Sequence, residues 1–246
     1  MRSCICLFYI ALFFVPPPVA GGPAGSPLQT ERDPDALYRE RATPGRARQA
    51  ADLLESRLAA NGRDFEAAWK LARVMYWIGG HDTPDGQRRA LERGVEAGRL
   101  ASMLEPNRPE GYFWMAADMG TLAESFGMRQ GLKYRGPIKE ALETVLRLDP
   151  AFLQGSADRA LGRWYDRVPG LFGGSKKKAD EHLRRSLVYD PNSTASHFFL
   201  AELLFNMDRD AEAVKELKTV VSLPINPDWA AEDREFKQKA ADRLAK

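Results

Sequence analysis

Arg159, Arg163 and Arg167 recur at i, i+4 and i+8. On a helix that spacing stacks three guanidinium groups on one face, where like charges repel. A carboxylate or phosphate ligand would relieve the repulsion, because a guanidinium grips such groups through a bidentate fork. Neighbouring Asp158, Asp166 and Glu202, or plain solvation, would relieve it too. Large aromatics stand near further charges: Trp69, Arg73, Tyr76 and Trp77 early in the chain, Phe113 in the middle, Phe198 and Phe205 late. Several aromatics on one groove make a recurring small-molecule environment, although each ring singly also suits ordinary packing. Catalytic chemistry finds less support. His81, His182 and His197 are far apart, and none has metal-ligand spacing to another. No Ser elbow is present. The stretch Gly170-Leu171-Phe172-Gly173-Gly174-Ser175-Lys176-Lys177-Lys178 lacks the Gly-Lys-Ser/Thr order of a phosphate loop and follows no strand. Ser175 reads as a helix N-cap. The three lysines oppose the helix dipole, which leaves Phe172 and Lys176 as loop candidates for an anion or an acidic partner beside the simpler solvated reading. The expectation is a binding protein: no enzyme, no cofactor and no metal site.

These residues are positioned by a repeat. Ala72, Ala116, Gly162 and Ala201 each sit inside the first of two predicted helices. Pro106 to Ala116 and Pro191 to Ala201 are ten residues apart, and Pro150 to Gly162 twelve. Around them lies the tetratricopeptide pattern of about 34 residues. The last unit gives Leu200, Ala201, Leu204, Ala213, Leu217 and Val220 without insertion. The one before gives Leu161, Gly162, Tyr165, Ala179, Leu183 and Ser186; then come Met115, Ala116, Met119, Ile138, Leu142 and Val145, and first Leu71, Ala72, Met75, Gly94, Gly98 and Ala101. Three units end alike, at Leu104-Glu105-Pro106, Leu148-Asp149-Pro150 and Tyr189-Asp190-Pro191. The fold class is therefore all-α, a tetratricopeptide-repeat superhelix (α-solenoid) of about five antiparallel helix pairs. Its units span 35–61, 65–106, 109–150, 155–191 and 194–227, with a cap helix at 228–245, all in one domain at 33–246. Extra residues at 79–84, 125–137 and 168–175 read as insertions inside the pairs, gathered as loops on one edge. In such a superhelix the groove-facing positions of the first helices include Trp69, Arg73, Tyr76, Trp77, Phe113, Arg159, Arg163, Arg167, Phe198 and Phe205.

The 246 residues carry a net charge of only +2, spread evenly, which gives no footprint for nucleic acid. Both cysteines, Cys4 and Cys6, fall in the first residues. Arg2, an apolar stretch from Cys4 to Val15 and the Pro16–Gly21 segment read as a signal peptide at 1–20, cut after Ala20 or Ala24. The alternative is an uncleaved anchor. A linker at 21–32 follows. The cleaved chain would have no stable transmembrane segment and no cysteine, and no cysteine after the apolar stretch offers a lipid acceptor. The expected location is across the inner membrane, in the periplasm.

The stretches Gly111-Tyr112-Phe113-Trp114-Met115-Ala116-Ala117, Arg159-Ala160-Leu161-Gly162-Arg163-Trp164-Tyr165, Pro169 to Ala179 and Phe199-Leu200-Ala201-Glu202-Leu203-Leu204 resemble the T-component (TatT-like) family associated with tripartite ATP-independent periplasmic (TRAP) transporters. The family-specific part is 159–179. The resemblance implies a helical periplasmic protein with cryptic repeats and a central pore or cavity. It also implies a homo-oligomer, a solute-binding protein of the transporter as partner, and a hydrophobic or organic-acid ligand. The rival expectation is a general envelope scaffold for protein–protein interaction with no small-molecule ligand.

Overall fold

The computed structural model describes residues 33–245. The expected signal peptide and linker lie outside them. Among the described residues there are eleven α-helices and no strand: α1 (Pro34–Arg39), α2 (Arg46–Ala60), α3 (Phe65–His81), α4 (Pro84–Leu104), α5 (Pro109–Ser125), α6 (Gly127–Leu148), α7 (Ser156–Arg167), α8 (Lys176–Tyr189), α9 (Thr194–Phe205), α10 (Asp210–Ser222) and α11 (Ala230–Leu244). Two 3-10 turns, Gly170–Phe172 and Pro227–Trp229, precede α8 and α11.

Local chemistry fixes the ends. Asp64, Ser175 and Ser193 accept the amides of Ala67, Lys178 and Ser196 with their side chains, each satisfying an orphan donor of a first turn. Pro34, Pro84 and Pro109 open α1, α4 and α5, where no amide is needed. The Asp-Pro junctions work from both sides. The Asp149 and Asp190 amides close the preceding helices onto Val145 and Ser186. Their carboxylates accept the amides of Ala151 and Asn192 at 2.9 and 3.0 Å, turning the chain into the next pair.

The first helices α3, α5, α7 and α9 touch in succession and form one layer, and each packs against its own second helix. The small residues of the repeat mark these contacts: Ala72, Ala116, Ala201 and Ala213 are buried, as is Gly162. Leu71, Met119, Leu142, Leu161, Leu183, Leu200 and Leu204 fill the space between the layers.

Two of the three expected loops are helix. The last pair, α9 and α10, has 12 and 13 residues; α3 and α4 have 17 and 21, and α5 and α6 have 17 and 22. The extra residues lengthen both arms of each pair and leave tight turns. Gly79 and Gly80 read as turn residues but lie in the last turn of α3. A Cβ on Gly79 would stand 2.5 Å from the Leu91 side chain, so this glycine allows close helix packing and breaks nothing. Pro137 lies inside α6, at the join between the extension and the ordinary second helix. Extension residues are packed: Leu122 and Tyr134 are buried, and Arg88 of α4 caps the Phe126 ring at 4.3 Å. Only 168–175 is a true connecting segment.

Candidate functional site: the concave face

The arginine stripe lies on α7, in the middle of the first-helix layer, and its three members have different fates. Arg163 grips both carboxylate oxygens of Glu124 on α5 at 2.7 and 2.8 Å. It also reaches Glu202 on α9 at 2.9 Å and lies 4.4 Å over the Phe199 ring. It therefore ties three successive first helices together, and these carboxylates raise its pKa further against the effect of burial. Arg167 shares Glu202 at 3.1 Å. The Arg159 side chain makes no hydrogen bond or ion pair among the described residues. Burial depresses its pKa, and the charges that reach it are those of Tyr76 and Asp190.

Tyr76 of α3 stands across from it. This ring keeps 38% of its surface open, yet surrounding protein pushes its phenol pKa up, against the opposing pull of the Arg163 and Arg159 charges. Its hydroxyl has no protein partner among the described residues, and its ring leans on Trp114 at 5.8 Å. The centre of the concavity thus offers one hydroxyl and one guanidinium without a side-chain partner among the described residues.

The two ends of the solenoid meet. Helix α11 packs on α9 and α10, with Phe236 5.4 Å from Phe198 and 5.5 Å from Phe199. Its other side reaches the first unit. Glu232 takes a forked ion pair from the buried Arg41, whose Nε donates at 2.9 Å. Glu235 pairs with His81 at 2.6 Å. Arg41 also stacks over Tyr38 and Trp77 at 4.7 and 5.2 Å. The cap helix is therefore a strut that closes the superhelix on itself. A cavity of about 380 Å³ remains under it, lined by Arg167, Phe198, Glu202, Phe205, Asn206 and, from the strut, Lys239, Asp242 and Arg243.

The structure sorts the sequence candidates. Tyr76, Arg159 and Arg163 come together at the centre; Arg167, Phe198 and Phe205 line the cavity under α11. Trp69 and Arg73 sit at the first-unit end, where Asp35 engages Arg73 at 2.7 Å and Arg73 lies over Trp69 and Tyr38. Trp77 leaves the groove: it is buried, donates its indole N–H to the Arg41 carbonyl at 3.0 Å and stacks on His81. Phe113 is buried among Trp114 and Phe152. His81, read as a loop residue, belongs to the last turn of α3. Phe172 and Lys176 do not line that cavity; Lys176 is bound to Asp166, which Asn206 of the lining also bonds, and Phe172 receives Arg135 over its ring. Sequence reasoning missed Glu124, Glu232 and Glu235. The last two share an i, i+3 face of the cap helix, a weak signal that says nothing about their partners. Among the described residues no group of three or more His, Cys, Asp or Glu is placed to hold a metal ion, and no helix is long and apolar enough to cross a membrane.

Comparison with known proteins agrees with this architecture. The chain is similar to the thermophilic tetratricopeptide (TPR) protein TTC0263 of Thermus thermophilus, at 22% identity and TM-score 0.66, over 88% of this chain and 100% of that one. It is also similar to MamA 41-end from Desulfovibrio magneticus RS-1, at 15% identity and TM-score 0.53, over 85% and 96%. Such identities establish the fold. Comparison with curated proteins gives no significant match. A family model described as "Regulator of microtubule dynamics protein 1-3" matches residues 32–246, the whole tetratricopeptide region, and the chain belongs to that family.

Proposed function

We propose that the protein is a non-catalytic tetratricopeptide docking protein whose concave face receives an anionic group through Arg159 and Tyr76. The observation that carries this reading is Arg159: its two neighbours in the stripe are tied to Glu124 and Glu202, whereas its own side chain has no hydrogen-bond or ion-pair partner among the described residues and is reached only by the Tyr76 and Asp190 charges. An arriving carboxylate or phosphate would gain a charged, bidentate contact and a phenol donor. The strut α11 restricts the space, which supports a small organic ligand or a chain end over a long bound helix. In its finer form the reading is that of a TRAP T-component-like accessory in the periplasm, docking a solute-binding protein or carrying an organic acid. The likeness of 159–179 to that family and the apolar stretch near the start of the chain support this form. The rival form, a protein–protein scaffold without small-molecule ligand, uses the same face.

Calorimetry with a panel of organic acids and anionic amphiphiles tests the reading. Arg159→Ala should weaken binding by about 1.5–3 kcal/mol, the scale of a hydrogen bond to a charged group, and Tyr76→Phe by about 0.5–1.5 kcal/mol, that of a neutral one. Unchanged affinity in Arg159→Ala would refute the assignment.

A further inference from the structure

One edge of the solenoid carries a second feature, independent of the concave face. It is formed by the first turns of α6 and by the segment from Arg167 to Lys178. Leu171 is 90% exposed and Met128 83%, with Leu132 and Phe172 also open to solvent. Met128, Leu132 and Arg135 follow at i, i+4 and i+7 on α6, one stripe of the helix. That stripe runs onto the connecting segment: the Arg135 guanidinium lies 5.1 Å over the Phe172 ring, and the Arg135 carbonyl accepts the Trp164 indole N–H at 3.0 Å. The four apolar side chains therefore belong to one patch.

The two segments that form it carry charge of one sign. Neither 126–139 nor 167–179 contains an Asp or Glu. Arg129, Lys133, Arg135, Lys177 and Lys178 make no ion pair among the described residues, and Lys133 bonds only the neighbouring Tyr134 hydroxyl. We propose that this edge docks on an anionic lipid bilayer, with Leu171 and Met128 dipping into the interface and the unpaired cations lying at headgroup level. Charge complementarity selects an acidic surface. The apolar tips select a bilayer over a folded acidic protein: fully exposed, projecting side chains enter a fluid interface readily, whereas a protein partner would need matched pockets for them.

The test uses the full chain with Cys4→Ser, Cys6→Ser and Leu171→Cys, labelled at residue 171 with the polarity-sensitive fluorophore NBD. Vesicles of phosphatidylcholine with phosphatidylserine should give a blue shift and a several-fold rise in NBD intensity, reversed by high salt. Pure phosphatidylcholine vesicles should give neither, even where the apolar stretch near the start of the chain holds the protein on them. Charge reversal by Arg129→Glu, Lys177→Glu and Lys178→Glu should abolish the response while the circular dichroism stays that of the parent. An NBD spectrum unmoved by phosphatidylserine vesicles, or moved equally by both kinds, would overturn the proposal. So would a response to soluble polyglutamate without one to vesicles, which would assign the patch to an acidic polypeptide.

Discussion

Replacing Asp118 should stabilise this protein. Asp118 is wholly buried on α5, and neither carboxylate oxygen has a hydrogen-bond partner. Two residues after the small residue of each first helix, the other units carry Val74, Trp164 and Leu203, all buried and apolar; Asp118 takes that place after Ala116. The side chain fits because Gly94 of α4 faces it: a Cβ there would fall 2.3 Å from Asp118 Oδ2. Burial drives the carboxyl pKa well above its ordinary value. Between the unfolded pKa and the raised folded pKa, the native state holds a proton that the unfolded state has released. Stability from this group is therefore complete below about pH 4, the unfolded value, and declines as pH rises toward the folded pKa, by about 1.4 kcal/mol per pH unit. Asp118→Ala removes that slope together with the buried unsatisfied oxygens, worth about 1–3 kcal/mol, less a modest loss of packing around a small side chain. We expect Asp118→Ala to be more stable than the parent at pH 7 by at least about 1–2 kcal/mol, with the gap narrowing toward pH 4. Urea unfolding followed by circular dichroism at several pH values measures this. A variant less stable at neutral pH, or a gap that does not change with pH, would refute the reasoning.

Arg163→Ala should cost about 1–2 kcal/mol, because it strands Glu124 and leaves Glu202 to Arg167 alone in a partly exposed site; a melt equal to the parent's would show that the three-helix tie contributes nothing. Ala201→Leu should overpack a fully buried helix contact and cost about 1–3 kcal/mol, read by thermal melting, and an unchanged melt would count against the repeat register. The His81–Glu235 contact should hold best between the unfolded pKa values of the two groups. His81 is raised chiefly by its bond to Glu235, so its contribution fades as pH climbs through the folded His value; Glu235 is lowered by the same bond, so its share fades as pH falls through the folded Glu value. Both side chains are 40% exposed, which keeps the effect below about 1 kcal/mol, and His81→Ala should lose this pH dependence in denaturant titrations.

The fold was legible because a repeat states its packing several times over. Ala72, Ala116, Gly162 and Ala201 mark helix contacts in one register, and each is buried where that register puts it. Loop positions were less legible, for a physical reason. Gly79, Gly80 and Pro137 carry local turn signals, but packing of the lengthened arms outweighs local propensity: Gly79 serves an approach by Leu91, on the other arm of its pair. Which arginines share a face was legible, and which partners they take was not. The i, i+4, i+8 spacing places three arginines on one side of α7. It cannot tell that Glu124 and Glu202, each 39 residues from Arg163, would neutralise that arginine and leave Arg159. Trp77 shows the same limit, since its indole N–H and ring are taken by Arg41, 36 residues away.

A crystal of the full chain soaked with an iodinated aromatic carboxylate tests the concave receptor most directly, because the iodine locates the molecule without reference to any assumed pose. The account predicts an anomalous peak in the concavity with the carboxylate on the Arg159 guanidinium and within hydrogen-bond reach of the Tyr76 hydroxyl, absent from Arg159→Ala crystals. A peak confined to other arginines, with Arg159 and Tyr76 bare, would contradict it.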